Sequence, residues 1–371
     1  MVEGALFLAG SLCLLAALAY ALLRHVYVAA LTAAAPVGVA GVFFVFPIAL
    51  QGSSLVLGVY LAPICAILIY DCALRSICAG APARTAVASA LGDVLSAVGP
   101  ILAVYALMSF AFLPTWEPGA PRFGHALTIF YGFTVALALG TVAIWLPYPE
   151  DYIARANAAR ERHERLFARP AGLSETRWSL SVSGIGLVLA TIAVFGIVEV
   201  HAEYGWREDA VFVASAILVA AAFAAITRNW RLTLAATLAA LLAALLVSWT
   251  QVRAELDSIV PLSLWFDLVL EFAAMSVFVQ RMSRRVNRDH DPPTAIAVTL
   301  RELGPATLAA FLVLALVATV DVVRLGPVAL SHFTPVIAGL AAALLFFPAF
   351  GNALYRLLPR YRSVDEVFGK H

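Results

Sequence analysis

Eleven unbroken apolar runs divide this chain, and they constrain its fold more than any other feature. They cover roughly residues 4–23, 27–49, 54–75, 94–113, 125–147, 179–200, 209–227, 232–250, 261–280, 300–323 and 327–350. An α-helix needs about 20 mostly apolar residues to cross a hydrocarbon layer of roughly 30 Å. The runs do not alternate apolar with polar residues, which argues against barrel strands. The expected fold class is therefore an all-α polytopic membrane protein with about 11 transmembrane helices.

Composition closes off the other classes. Of 371 residues, 63% are apolar and only 13% are charged, against roughly a quarter charged in a soluble domain. A water-soluble fold of this length would lack the polar residues to cover its exterior. That excludes a soluble enzyme, a secreted disulfide scaffold and a disordered chain. A net charge of +1 provides no field for nucleic acid, so the expected partners are membrane lipids. Cys13, Cys65, Cys72 and Cys78 show no CxxC spacing and read as small packing residues. Only Met1, Val2 and Glu3 precede the first apolar run. Without a positive leader region, that run reads as a retained span rather than a signal peptide.

Basic residues orient the spans. With the N-terminus outside, the inside segments follow spans 1, 3, 5, 7, 9 and 11. They hold twenty of the 24 basic residues, and only Arg122, Arg207, Arg253 and Arg324 fall outside. Such a bias places the C-terminus in the cytoplasm. The long polar stretch from Glu150 to Arg177, rich in Arg and Glu, reads as a surface helix on the cytoplasmic face. The domain reading is thus a first repeat of five helices over 1–149, a basic linker over 150–177, and a second repeat of six helices over 178–371.

The two halves repeat one pattern. A basic loop runs through an amphipathic stretch into Gly99-Pro100 in the first half and Gly304-Pro305 in the second. Proline is well tolerated just inside a helix start, so each Gly-Pro is expected to open a span. An outside Arg-apolar-Gly follows in each half, Arg122-Phe123-Gly124 and Arg324-Leu325-Gly326. The next span closes on Pro147 or Pro348, 23 and 22 residues after the glycine. Repeats in the same orientation imply a pseudo-twofold axis along the membrane normal.

These motifs carry a resemblance. The stretch from Leu22-Leu23-Arg24 to Pro36, its partner Arg228-Asn229-Trp230-Arg231-Leu232, the pairs Tyr70-Asp71 and Glu271-Phe272, and the triplets Gly304-Pro305-Ala306 and Phe347-Pro348-Ala349 resemble the resistance-nodulation-division (RND) superfamily. Within it they are most similar to the MMPL-like branch. The resemblance covers nearly the whole chain and rests on the order and spacing of the motifs. It implies six helices per half with a large exported domain after the first helix of each. Here the family's first helix is absent, and the second exported domain is reduced to about eight residues, His201–Glu208. It also implies a multi-pass protein of the bacterial inner membrane, with proton flux through acids in the helix that here carries Asp267 and Glu271.

Intramembrane charges are costly and mark function. Glu271 lies ten residues before Arg281, about 15 Å along a helix, which puts it near mid-bilayer. Asp267 is four residues earlier and shares its helix face. Desolvation and like-charge repulsion should keep at least one of the two protonated, so the pair can load and unload a proton. The alternative is a protonated packing pair. His332, about six residues into the last span, is a candidate proton acceptor, or else a histidine bonded near the outer interface. Asp71, four residues before Arg75, is either a relay acid of the first half or an interfacial acid paired with that arginine.

No Walker loop, HExxH or GxSxG occurs, so no enzyme, metal or cofactor is expected. The functional expectation is a proton-coupled transporter, or the membrane engine of one, moving a lipid or other hydrophobic molecule out of the inner membrane. A separately encoded exported partner would supply the missing domains. The alternative is a non-transporting lipid-binding or scaffold subunit.

Overall fold

The computed structural model describes residues 2–45, 52–116, 124–168, 173–204, 206–253, 261–287, 292–325 and 333–357. Its elements are helices α1 (Val2–Leu23), α2 (Val26–Val45), α3 (Gly52–Cys78), α4 (Ala83–Trp116), α5 (Gly124–Val142), α6 (Glu150–Leu166), α7 (Glu175–Tyr204), α8 (Trp206–Thr227), α9 (Trp230–Arg253), α10 (Pro261–Val286), α11 (Pro292–Leu325), α12 (Phe333–Ala341) and α13 (Phe347–Leu357). A π-helical stretch, Ala342–Phe346, joins the last two. Where described, the apolar runs lie almost wholly in helix, and the start of the polar linker forms α6. Among the described residues, five helical windows are long and apolar enough to cross a membrane: Leu61–Cys78, Ala83–Met108, Trp230–Val247, Pro292–Leu316 and Phe333–Tyr355. The chain is an all-α membrane protein.

Two junctions share one backbone solution. Arg24 ends α1 and Arg228 ends α8, both in the left-handed region, at φ 54° and 50°. The N–H of Arg24 bonds the Tyr20 carbonyl at 2.8 Å, and that of Arg228 bonds the Ala224 carbonyl at 3.0 Å. This five-to-one closure caps a helix end. It normally falls on glycine, because a Cβ costs roughly 1–2 kcal/mol there. The next residue starts the following helix. Nδ1 of His25 accepts from the N–H of Val28 at 3.4 Å. Oδ1 of Asn229 accepts from the N–H groups of Arg231 and Leu232 at 3.2 and 3.5 Å. Each side chain satisfies donors that a helix start leaves without partners.

Two expectations need correction. Gly99-Pro100 and Gly304-Pro305 do not open helices. They lie inside α4 and α11, each 34 residues long. The amphipathic stretch before each Gly-Pro is helical too, so helix runs through the proline. Proline leaves one carbonyl of the preceding turn unpaired. For Pro305 that is the Arg301 carbonyl; the neighbouring Glu302 carbonyl takes a bond from Arg75. The segment His201–Glu208, expected as a short exported loop, is helical on both sides of residue 205, because α7 runs to Tyr204 and α8 begins at Trp206.

Helices α3 and α10 form the centre. Over Leu61–Cys78, 83% of residues are buried, and every α10 residue from Phe272 to Gln280 is buried. Lipid supplies no hydrophobic drive between helices, so small residues and close packing must hold them. Gly132 of α5 shows this: a Cβ there would lie 2.6 Å from the Gly58 carbonyl oxygen of α3. Helix α9 presents Ala235, Ala236, Ala239, Ala240, Ala243 and Ala244, all essentially fully buried.

Candidate functional site

The candidate site grows from the central pair α3 and α10 and from what crosses between the halves at their arginine-rich ends. Helix α10 is continuous from Pro261 to Val286, so Asp267 and Glu271 stand one turn apart on it. Their side chains lie outside the described residues, as does the whole of His332. Phe272, next to Glu271, is fully buried.

Asp71 is described, and it is paired. One carboxylate oxygen accepts from Nε of Arg75 at 2.8 Å, and the other from a terminal nitrogen at 3.4 Å. Their one-turn spacing on α3 puts the two groups on one face. Arg75 also donates to Glu164 of α6 at 3.0 Å and to the Glu302 carbonyl of α11. A single guanidinium, with side-chain exposure of 18%, thus ties three helices together. Its planar fork of donors allows this, where a lysine's compact charge would not. Preceding Asp71, Tyr70 donates to the Leu139 carbonyl of α5 at 2.7 Å. That bond fixes the face on which the acid sits.

The other half reaches across in the same manner. Asp93 of α4 accepts from Arg281 of α10 at 2.6 Å and from Arg284. Gln280 of α10 donates to the Ser96 hydroxyl of α4 at 2.6 Å. Arg285 pairs with Glu302 of α11 at 2.6 Å and contacts the Thr299 hydroxyl at 3.3 Å. So α3 is clasped to α11, and α10 to α4. The halves differ in one respect: Arg75 has an acid on its own helix, whereas Arg281 and Arg284 depend on Asp93 from across the boundary. Buried ion pairs of this kind add little net stability but are costly to break on one side. A relative movement of these helices would have to break or exchange them together, as it would a pair of latches.

Beside Asp71 lies a cavity of about 30 Å³ lined by Arg75, Arg160, His163 and Pro305, enough for about one water. Nδ1 of His163 is buried with no partner among the described residues. Burial, then the positive charges of Arg24 and Arg162, hold His163 below the usual histidine range. Glu164, Asp93 and Glu302 did not emerge from the sequence as site residues. One signal was present: an acid stands a few residues before each Gly-Pro, Asp93 before Gly99 and Glu302 before Gly304.

The structure is similar to the crystal structure of SecDF, a translocon-associated membrane protein, from Thermus thermophilus. The TM-score is 0.69, with 12% identity over 95% of this chain and 62% of that one. A second SecDF structure, in its super-membrane-facing form, gives 0.65 and 11% identity over 96% of this chain and 61% of that one. This chain spans about three-fifths of the length of those structures. No family model and no curated protein matches the sequence. At this identity the likeness is one of fold: along nearly its whole length the chain folds as a multi-pass helical membrane protein similar to SecDF.

Proposed function

We propose that this chain is a proton-coupled membrane transporter, or the membrane engine of one, of the bacterial inner membrane. Its spans form two same-orientation repeats of five and six helices, and its cargo is a lipid or other hydrophobic molecule. A separately encoded exported partner completes its path. The observation that supports this best is the crossed clasp at the repeat boundary: Arg75 of α3 donates to the Glu302 carbonyl of α11, and Asp93 of α4 pairs with Arg281 and Arg284 of α10. Asp267 and Glu271, on the same α10, carry the proton. His332 accepts it, and Asp71 responds through its pair with Arg75. Neutralising or charging α10 changes the field at Arg281 and Arg284, which are one of the two latches. The matching caps at Arg24 and Arg228 support the repeat reading. The SecDF-like fold supports an RND-type assembly.

The test is proton flux in proteoliposomes with a pH-sensitive dye inside. Wild type should acidify the lumen under an inward proton gradient, and Glu271→Gln should abolish the flux. Lipids of inner and outer membrane fractions are then compared in a deletion strain carrying either version. A species trapped in the inner membrane and released only by wild type supports export. Equal flux and equal rescue by Glu271→Gln would remove the relay and leave the lipid-binding or scaffold role.

A further inference from the structure

A second cavity, of about 340 Å³, opens where the α1–α2 junction meets α6. That volume is at the low end of small-ligand sites, roughly 300–1,000 Å³. Its chemistry is one-sided. Arg24, Arg155 and Arg162 line it with the tyrosines Tyr20, Tyr27 and Tyr152, and no carboxylate is among its lining residues. Arg155 donates through Nε to the Asp151 carbonyl at 3.2 Å, and Arg162 through Nε to the Ala158 carbonyl at 3.3 Å. Those bonds orient the two side chains while leaving their terminal nitrogens unused among the described residues. Arg24 sits over the Tyr20 ring at 5.8 Å, and its buried Nε has no partner. Three guanidiniums facing one half-enclosed space repel each other unless an anion lies between them.

The cavity is a built one. Positions 155, 158 and 162 fall on one stripe of α6. The helix is held against the junction by Tyr152, which donates to the Leu23 carbonyl at 3.2 Å and meets His25 edge-on at 4.5 Å. The corresponding junction of the other half is filled differently. There Asn229 bonds Asn287 and Tyr355, and Arg231 lies over the Trp230 and Tyr355 rings.

We propose that this cavity binds a phosphate ester, held as the headgroup of an anionic membrane lipid. Guanidinium forks match phosphate oxygens in geometry and charge. Basic pockets at the arginine-rich membrane face take such headgroups. The level also fits: Arg24 follows directly on the apolar α1. Val26 and Tyr27, 64% and 59% exposed, continue from the cavity rim along α2 as an apolar surface for glycerol and acyl chains. The site does not depend on Asp267 or Glu271 and stands apart from the proton relay.

The test uses the full chain in detergent, delipidated and then titrated with phosphatidylglycerol or phosphatidylcholine, with retained lipid read by native mass spectrometry. Inorganic phosphate and glycerol 3-phosphate serve as soluble competitors. Wild type should retain phosphatidylglycerol at least tenfold better than phosphatidylcholine. Arg162→Gln, and Arg155→Gln with Arg162→Gln, should lose that preference at unchanged melting temperature. Arg165→Gln, on the same helix but outside the cavity, should keep it. Both α6 arginines are exposed, and Arg162→Gln alone supplies the answer if the double variant folds poorly. Equal retention of both lipids by wild type, or an unchanged preference in Arg162→Gln, overturns the proposal. Full displacement by millimolar glycerol 3-phosphate, with no added affinity from acyl chains, overturns the lipid assignment and makes the ligand a soluble phosphate ester.

Discussion

Replacing Asp93 with asparagine tests the clasp between the halves most directly. The change keeps the shape of the side chain and removes its charge. Asp93 has a side-chain exposure of 12%, and its partners Arg281 and Arg284 have 34% and 42%. Removing one partner of a fully buried pair costs roughly 3–5 kcal/mol, and an exposed pair is worth about 0–1 kcal/mol. Here the acid is buried and the arginines can recover water, so the expected loss is about 2 kcal/mol, set between those limits. At roughly 2–4 °C per kcal/mol for a chain of a few hundred residues, Asp93→Asn should lower the Tm by about 4–8 °C. The assay is tryptophan-fluorescence unfolding in nanodiscs at constant lipid and salt. A triple variant, Asp93→Asn with Arg281→Gln and Arg284→Gln, should be less destabilised than the sum of its parts, because no charge is then left without its partner. A shift under 1 °C for Asp93→Asn, or strict additivity in the triple variant, would refute the claim that this pair joins α4 to α10 energetically.

Two further outcomes follow from local geometry. A Cβ on Gly304 would lie 2.6 Å from the Phe167 ring, so Gly304→Ala should destabilise by about 1–3 kcal/mol through overpacking; Phe167→Ala in the same chain should restore most of it, and no rescue would show that the strain lies elsewhere. His25 accepts from Val28 through Nδ1 while Nε2 faces the Pro147 carbonyl at 3.1 Å, which requires a neutral imidazole with its proton on Nε2. Burial lowers its pKa from the ordinary 6.5, against the opposing pull of the Pro147 carbonyl. The unfolded chain then binds the proton more readily, so this contribution to stability is complete above about pH 6.5 and is lost as pH falls from there through the folded-state value. His25→Asn should flatten that acid limb in a Tm-against-pH series, since asparagine already caps the matching junction at Asn229; an unchanged limb would assign the pH dependence to another group.

Part of the candidate site was legible in the sequence for a simple reason. A charge inside an apolar run stands out, so Asp71, Asp267 and Glu271 were visible without any tertiary information. For Asp71 the structure adds the pair with Arg75 that their one-turn spacing had offered. Asp93 and Glu302 were hidden because they stand at the edges of apolar runs, just before one and beside Arg301 at the start of another, where a carboxylate is unremarked. Their importance comes from what faces them on another helix. The Gly-Pro pairs misled because proline at a helix start and proline inside a helix look alike in one dimension. Only the continuation of helix on both sides distinguishes them.

The sequence by itself determined the solvent, the helical class and the element order. Those follow from run length, charge density and the cost of burying a bare backbone in lipid, all of which are local properties. Its arginine bias also carried the expected orientation. The tertiary structure alone decided which groups meet across helices: Arg75 with Glu164 and the Glu302 carbonyl, and Asp93 with Arg281 and Arg284. It likewise decided that Arg24 and two arginines of α6, distant from it in sequence, line one cavity. Such pairings join helices far apart in the chain, and their partners are selected by packing geometry, which no local pattern encodes.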